Sequence, residues 1–329
     1  MFLPGAGGLG SGYQDLGTRW AMRGMFAIMV DTGWTPDLQR DNSVALFHAW
    51  TAENLNPSSP FFGALNLQKA AITGHSLGGG NALRILGSQN PGFVVGMSLA
   101  AGGSSIWTLL HAPVIDRPIM LIHGVGDQVV PWQASSQSYY QNAIAFTGIK
   151  SLYVLNQDCN HFNIAVVGPS SVDQQVFDRC FTVGTGFMER FLFDDPSALE
   201  ESIGPTALTE ARLHLQDLDV QTPETWSWPA PQVGVNTDFH LACEGQLAGL
   251  FAALAPGSTP TPFGTLGLCP ASLFPLVSGI PASNHLLSFS LPLPNDPALA
   301  GFSFHVQGVG LTVSQGPRLS NVLDQVVLP

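Results

Sequence analysis

The chain has 329 residues, of which 45% are hydrophobic and 10% charged, and 11 Lys+Arg against 23 Asp+Glu give a formal net charge of −12. This length supports one large core with a smaller second unit, and the composition excludes an intrinsically disordered chain. Phosphate backbones would repel so acidic a protein, so we expect no nucleic-acid partner, and no apolar run approaches the roughly 18 to 20 residues that a membrane span needs.

Up to about residue 196, short apolar runs alternate with longer segments of helical periodicity. This alternation predicts βαβ units around a mostly parallel sheet, an α/β domain over residues 1–196. The predicted strands are residues 1–3, 25–30, 69–73, 94–100, 118–123 and 151–156. The predicted helices are residues 13–23, 38–53, 78–88, 132–146 and 171–193.

The character of the chain changes after residue 196. Residues 197–230 are a mixed polar stretch, which we interpret as a linker. From residue 231 onward, Gly, Pro and Ser separate short alternating runs such as "LLSFSLPL". Such runs are typical of an all-β sandwich, so residues 231–329 are predicted to form a small accessory β-sandwich domain.

The stretch "GHSLG", residues 74–78, fits the pattern G-x-S-x-G and lies between an apolar strand and a helix-compatible segment. In this context Ser76 would stand on a sharp strand-to-helix turn, and the flanking glycines would let neighbouring chain pass close by. The backbone N–H of Leu77 could then donate to a developing oxyanion. The alternative is a glycine-rich turn without chemistry.

A serine hydroxyl is a weak nucleophile, so it needs a base and an acid that orients the base; on this kind of sheet they follow in the order Ser, Asp or Glu, His. Asp127 and His161 each follow a predicted strand, in that order. Asp127 would hold the His161 imidazole in the tautomer that accepts the Ser76 proton. Asp158 and Asp31 are alternatives for the acid.

The segment "FLPGAGGLGSGYQDL" supplies a glycine-rich loop after the first strand. Such a loop commonly provides the second oxyanion donor, and the backbone N–H of Ala6 or Gly7 is the candidate. A glycine-rich loop can also bind phosphate, but no Lys-Ser/Thr follows it, which disfavours a P-loop.

These motifs together resemble the α/β-hydrolase superfamily. The segments "PGAGG", "GHSLGGGNALRI", "HGVGDQVVP" and "NHFNIA" are similar to the oxyanion loop, nucleophile elbow, acid loop and histidine loop of the cutinase-like polyester hydrolases and of the neighbouring dienelactone-hydrolase and platelet-activating-factor acetylhydrolase groups. The likeness covers about residues 1–196. It implies a doubly wound, mostly parallel hydrolase sheet and an esterase with Ser76, Asp127 and His161 as triad and the N–H groups of Ala6 and Leu77 as oxyanion hole.

The resemblance also names candidates for binding the substrate. They are Gly7, His75, Gly102 and Trp107: Gly102 stands near the place of an aromatic that lines the polymer cleft in cutinase-like enzymes, and Trp107 is a candidate to replace that aromatic. His75 and His123 are otherwise expected to pack or to hydrogen-bond loops. No metal or organic cofactor is expected.

Members of the superfamily have two strands before the oxyanion loop, whereas here Met1 stands almost on the loop. An uncovered apolar edge at residues 25–30 would invite strand exchange or aggregation. We therefore expect either an N-terminally incomplete product, with the first two strands missing, or another strand that covers this edge.

The chain has four cysteines and no CxxC pair, which disfavours a zinc or thioredoxin-like site. The pairing of nearest neighbours would join Cys159 to Cys180 and Cys243 to Cys269; the alternative is buried, reduced thiols. Disulfides indicate an oxidising compartment, so a secreted or periplasmic protein is expected, although no signal-peptide pattern follows Met1.

The function predicted from these residues is two-step acyl transfer from neutral, hydrophobic esters, including polyesters. A lipase or thioesterase-like hydrolase with the same residues is one alternative. A non-catalytic protein that binds a polymer or glycan surface through the C-terminal sandwich is the other.

Overall fold

The computed structural model describes residues 1–31, 35–103, 105–312 and 316–329. The chain divides into two compact units. The first comprises Met1–Phe146, Lys150–Asp195 and Ala207–Asp217. The second comprises Thr147–Ile149, Pro196–Thr206 and Leu218–Pro329.

The first unit holds most of a six-stranded sheet in the order β1-β2-β3-β4-β5-β6. Its strands are β1 (Phe2–Leu3), β2 (Ala70–His75), β3 (Phe93–Leu99), β4 (Ile119–Gly124), β5 (Ile149–Leu155) and β6 (Leu213–Val220). Strands β1 to β5 pair in parallel, so their carboxyl ends meet at one edge. The α/β prediction is confirmed for this unit.

Helices join these parallel strands. They are α1 (Gln14–Met22), α2 (Pro36–Leu55), α3 (Leu77–Ser88), α4 (Ser105–His111), α5 (Ser138–Asn142) and α6 (Ser171–Leu192). Capping residues define where the two longest helices begin. At the start of α2, the Thr35 side chain accepts from the Leu38 N–H, and Pro36 occupies the first turn. At the start of α6, Ser170 and Asp173 form a capping box. No described helix is long and apolar enough to cross a membrane.

Strands β2 to β5 are mostly apolar because both of their faces are covered. Every residue of β4 and β5 is buried. The core on one side gathers β-strand side chains such as Ile72, Leu121 and Leu152 with Leu83 and Leu86 of α3. This double coverage is why the predicted strands lack the alternation of a half-exposed sheet.

The predicted strand at residues 25–30 is wrong. The Phe2 N–H donates to Ile28 O at 2.8 Å and the Val30 N–H to Phe2 O at 3.0 Å, which makes a single parallel bridge between Phe2 and Met29. The neighbouring β1 is only two residues long and offers no longer ladder. Residues 25–29 also line a cavity of about 340 Å³.

The helices differ from the prediction at two further places. Residues 132–146 contain a π-helical turn at Gln133–Gln137 and only the short α5, because the chain turns to pack Trp132 and Tyr139 into the core. Helix α4 was not predicted, since glycines precede it and its exposed apolar residues show no clear amphipathic pattern.

The second unit consists of antiparallel sheets. One has the order β12-β9-β14-β15, another β13-β8-β7, and β10-β11 form a hairpin. Their bounds are β7 (Glu224–Trp228), β8 (Asn236–Ala242), β9 (Leu247–Ala253), β10 (Pro256–Thr261), β11 (Gly264–Leu268), β12 (Phe274–Gly279), β13 (Leu286–Pro292), β14 (Ser303–Thr312) and β15 (Gly316–Val326). Side chains from both larger sheets, including Phe239, Leu250 and Val306, form one core.

The residues predicted as a linker, 197–230, contain regular structure instead. They hold most of a 3₁₀ turn, the short helix α7 (Pro205–Leu208), β6 and β7. Trp226 of β7 is fully buried, and its indole N–H donates to Glu200 Oε2 at 3.1 Å. The polar composition did not predict these elements, because some of the polar groups, such as Glu200, are buried and paired inside the protein.

Neither predicted disulfide is formed, and all four cysteines are free thiols. Cys159 and Cys180 are both buried; a hydrogen bond between their thiols, together with burial, raises the pKa of Cys159 well above its usual value. Burial raises the pKa of Cys243 to about 12. Buried Cys159 and Cys243 therefore pack as small apolar groups with protonated sulfurs.

Candidate active site

Ser76 connects β2 to α3 in a strained backbone conformation. Its φ of 54° and ψ of −124° lie outside the usual regions for a non-glycine residue. A Cβ added to Gly74 would lie 2.5 Å from the carbonyl of Gly78, and one added to Gly78 would lie 2.1 Å from Leu3 O. The glycines are required because backbone packs directly on backbone around this turn.

The structure brings the three predicted triad residues together at the carboxyl ends of β2, β4 and β5. Ser76 Oγ lies 2.9 Å from His161 Nε2. The other ring nitrogen, Nδ1, lies 2.7 Å from Asp127 Oδ2. Because a carboxylate can only accept, Nδ1 donates and Nε2 is free to accept the serine proton. This is the geometry of an activated nucleophile.

Four donors surround the Asp127 carboxylate. Oδ2 also accepts from His123 Nε2 at 3.1 Å, and Oδ1 accepts the N–H groups of Val129 and Val130 at 2.9 and 2.8 Å. Burial opposes ionisation, but the hydrogen bonds from His123, His161 and Val130 together outweigh it, so the pKa of Asp127 falls below its usual value. The group facing His161 is therefore a carboxylate at neutral pH.

The two alternative acids lie elsewhere. Asp158 accepts from Arg212 Nε at 3.3 Å, and Asp31 accepts the N–H of Gly10. Among the described hydrogen bonds of His161, the carboxylate partner is Asp127. The geometry favours Asp127 over both alternatives.

The glycine-rich loop after β1 lies against Ser76. A Cβ added to Gly5 would be 3.3 Å from Ser76 Cβ, and the next residue, Ala6, is exposed to solvent. Leu77 opens α3, so its N–H has no partner within the helix. These two backbone segments flank the serine, which is where the oxyanion donors Ala6 and Leu77 were predicted.

The predicted substrate-binding residues fall into different surroundings. Gly7 is exposed, with φ of 71°. His75 is buried, and both of its ring nitrogens bond to protein groups. Gly102 is buried behind the serine, where its N–H donates to Ser76 O at 2.7 Å. Trp107 belongs to α4, but its side chain lies outside the described part of the structure.

Replacing Gly102 with alanine is expected to damage the site without touching its reacting groups. The added Cβ would lie 2.8 Å from both the Leu77 amide nitrogen and the Ser76 carbonyl carbon, so the turn must move. We expect ester hydrolysis to fall about a hundredfold, because shifts of about 1 Å in a reacting group have such effects. Gly279→Ala, where the nearest heavy atom is 3.7 Å away, is the control. Equal kcat/KM in the two variants would contradict this account.

Several residues around the site were not predicted to support it, and His123 was expected only to pack or to hydrogen-bond a loop. His123 donates to Asp127 and also lies 2.9 Å from Val130 O, while its Nδ1 lies 2.7 Å from Ser136 Oγ. Tyr13 contacts the glycine-rich loop. Phe162 is 65% exposed beside the His161 ring. Only Phe162 carried a sequence signal, its position directly after His161.

The arrangement contains no metal centre within the described residues, where no group of three or more His, Cys, Asp and Glu side chains is placed to hold an ion. What it offers chemically is a nucleophilic oxygen, a base oriented by a carboxylate, and backbone donors beside them. That combination suits attack on a carbonyl carbon.

Comparison with known proteins agrees with this chemistry. Cutinase est1 of Thermobifida alba is 30% identical to this chain over 160 residues. The match covers 48% of this chain and 51% of the cutinase, so the chain spans about half the length of the curated relative. No family model matches the chain. The similarity, although partial and distant, supports a hydrolase of the esterase or cutinase-like kind.

Proposed function

We propose that this protein is a serine carboxylic-ester hydrolase of the α/β-hydrolase fold. The observation that carries the proposal is the hydrogen-bonded series from Ser76 Oγ through His161 to Asp127, with distances of 2.9 and 2.7 Å. The similarity to a cutinase over 160 residues points to the same reaction class.

In the acylation step, Ser76 Oγ attacks the ester carbonyl carbon while His161 Nε2 takes the hydroxyl proton. The carbonyl oxygen becomes an oxyanion that accepts from the N–H groups of Leu77 and Ala6. Asp127 stabilises the imidazolium that forms. The imidazolium then gives its proton to the leaving alkoxide, and the C–O bond to the alcohol breaks, leaving an acyl group on Ser76.

Deacylation repeats these proton transfers with water as the nucleophile. His161 takes a proton from water as the oxygen attacks the acyl carbon, and it returns that proton to Ser76 Oγ when the ester bond to the enzyme breaks. The products are a carboxylic acid and an alcohol, and the serine is regenerated.

Neutral, hydrophobic esters are the substrate class that the surface beside these residues favours. Three apolar side chains on the loops that carry the site are more than half exposed: Leu9 is 58%, Val129 60% and Phe162 65% exposed. They offer apolar contact to an acyl or alcohol group, whereas the net charge of −12 disfavours anionic substrates. That a polyester is a substrate, and that the second unit binds polymer, are predictions from the sequence.

Covalent labelling tests the proposal directly. A fluorophosphonate should add to wild-type protein at Ser76 and leave Ser76→Ala unlabelled, as read by peptide mass spectrometry. A series of nitrophenyl esters of increasing acyl length, together with a polyester film, should then place the enzyme among esterases, lipases and polyesterases. A folded wild-type sample that resists labelling and hydrolyses none of these esters would favour the non-catalytic binding protein.

A further inference from the structure

A second hydrogen-bonded series lies beside the site and ends on the backbone of His161. The N–H of Gly5 donates to Tyr13 Oη at 3.1 Å, and Tyr13 Oη lies 2.8 Å from His75 Nδ1. On the far side of the ring, His75 Nε2 lies 2.6 Å from the backbone oxygen of His161. We propose that Tyr13 and His75 are positioning residues that fix the glycine-rich loop and His161 relative to each other.

The donors and acceptors in this series can be assigned from chemistry. The His161 backbone oxygen can only accept, so His75 Nε2 carries a hydrogen. Burial, with the nearby His161 ring as a second cause, lowers the pKa of His75 to about 3, so the ring is neutral and Nδ1 accepts. Burial raises the pKa of Tyr13, whose hydroxyl therefore donates to Nδ1.

The hydrogen bonds of the series all run in the same donor-to-acceptor direction. The Gly5 N–H donates to the Tyr13 oxygen, the Tyr13 hydroxyl donates to His75, and His75 donates to His161. All of these residues are buried, and unpaired polar groups there are costly. Removing one member therefore leaves its neighbours unpaired and free to shift.

The series matters for the proposed reaction because its two ends carry two reacting parts. At one end, Gly5 lies against Ser76, so that a Cβ added to Gly5 would be 3.3 Å from Ser76 Cβ, and Gly5 precedes Ala6, the predicted oxyanion donor. At the other end, the anchored backbone belongs to His161, whose ring must reach Ser76. Buried Tyr13 is fixed from behind by Phe2, with ring centroids 4.7 Å apart. The inference rests on the proposed function.

A neutral His75 also suits the charge that develops next to it. The His75 and His161 rings lie 4.8 Å apart, and the groups facing them include Asp127 and His123. An imidazolium forms on His161 during the reaction, and a second positive charge at His75 would oppose it. Because both nitrogens of His75 are occupied by protein partners, the ring serves as a rigid spacer.

Tyr13→Phe is the main test, since it keeps the ring and deletes the hydroxyl. We expect kcat for a nitrophenyl ester to fall on the order of tenfold to a hundredfold, with KM changed less than about threefold, because misplaced reacting groups lower the rate more than binding. Tyr153→Phe is the matched control: its buried hydroxyl donates to Ala207 O at 3.1 Å, away from Ser76. It should lose stability and keep kcat.

Two substitutions of His75 test separately its contact with the His161 backbone oxygen and its contact with the Tyr13 hydroxyl. His75→Gln can retain a donor to the His161 oxygen, whereas His75→Asn can retain only an acceptor for Tyr13. We expect the Gln variant to keep more of kcat than the Asn variant. These variants also serve if Tyr13→Phe does not fold. Wild-type kcat in Tyr13→Phe, or equal loss in Gln and Asn, would overturn the proposal.

Imidazole ¹⁵N spectra give a readout that needs no activity. In wild-type protein, the signals that vanish in His75→Gln should show one protonated and one unprotonated nitrogen, and the unprotonated one should shift in Tyr13→Phe. A protonated Nδ1 would overturn the assignment. If wild-type protein shows this spectrum but hydrolyses no ester, the proposed function falls while the series remains as a structural element.

Discussion

Ser76→Ala is expected to lower kcat for ester hydrolysis by about a millionfold, the magnitude seen when a triad nucleophile is removed from a hydrolase. The variant lacks the oxygen that lies 2.9 Å from His161 Nε2, while the backbone donors at Ala6 and Leu77 remain. KM should therefore change little. The measurement is the rate with a nitrophenyl ester, after the purified variant has been checked for labelling by a fluorophosphonate.

The control for this variant is a serine whose hydroxyl has an ordinary structural partner. Ser88 Oγ donates to Arg84 O at 2.8 Å within α3, the helix that Ser76 precedes. Ser88→Ala should keep wild-type kcat. If Ser76→Ala retains more than about a thousandth of the wild-type rate, Ser76 is not the nucleophile, since binding and oxyanion donors alone supply only residual catalysis.

Asp127→Asn is expected to lower kcat by about 10⁴-fold, the magnitude found when the acid of such a triad becomes an amide. The amide nitrogen can point toward His161 Nδ1 and donate to it, which moves the ring hydrogen to Nε2. That nitrogen would then donate to Ser76 instead of accepting its proton. Alternatively, the amide nitrogen points at Val129 and Val130, whose N–H groups now lie 2.9 and 2.8 Å from Oδ1 and would lose their acceptor.

The alternative acids provide matched controls of the same chemical change. Asp158→Asn removes a charge whose partner is Arg212, and Asp31→Asn changes the acceptor of the Gly10 N–H. Both variants should hydrolyse esters within about threefold of the wild-type rate, since surface ion pairs contribute little. A loss in Asp158→Asn as large as that in Asp127→Asn would mean that the acid has been assigned to the wrong residue.

The placement of Ser76, Asp127 and His161 could be predicted because it depends on chain order. Each residue follows an apolar run, and parallel strands bring the residues that follow them to one edge of the sheet. Asp158 could not be excluded in this way, since it follows the same strand as His161. Its contact with Arg212 comes from a segment 54 residues further along the chain.

The contacts that support the site could not be predicted, because they join segments distant in sequence. Tyr13 reaches His75 across 62 residues, and His75 reaches the His161 backbone across 86. The failed strand at residues 25–30 has a different cause. Its apolar pattern is that of a strand, but pairing also needs a neighbour of sufficient length, and β1 has two residues.

The close backbone packing around the nucleophile has a practical consequence for mutational libraries. A Cβ added at Gly74, Gly78 or Gly102 would meet backbone atoms at less than 3 Å, so substitution of these glycines would mostly yield inactive protein. Leu9, Val129 and Phe162 stand on the surrounding loops with more than half of each side chain exposed. Saturation at these three positions samples new acyl preferences while the reacting groups keep their geometry, so diversity should be concentrated there.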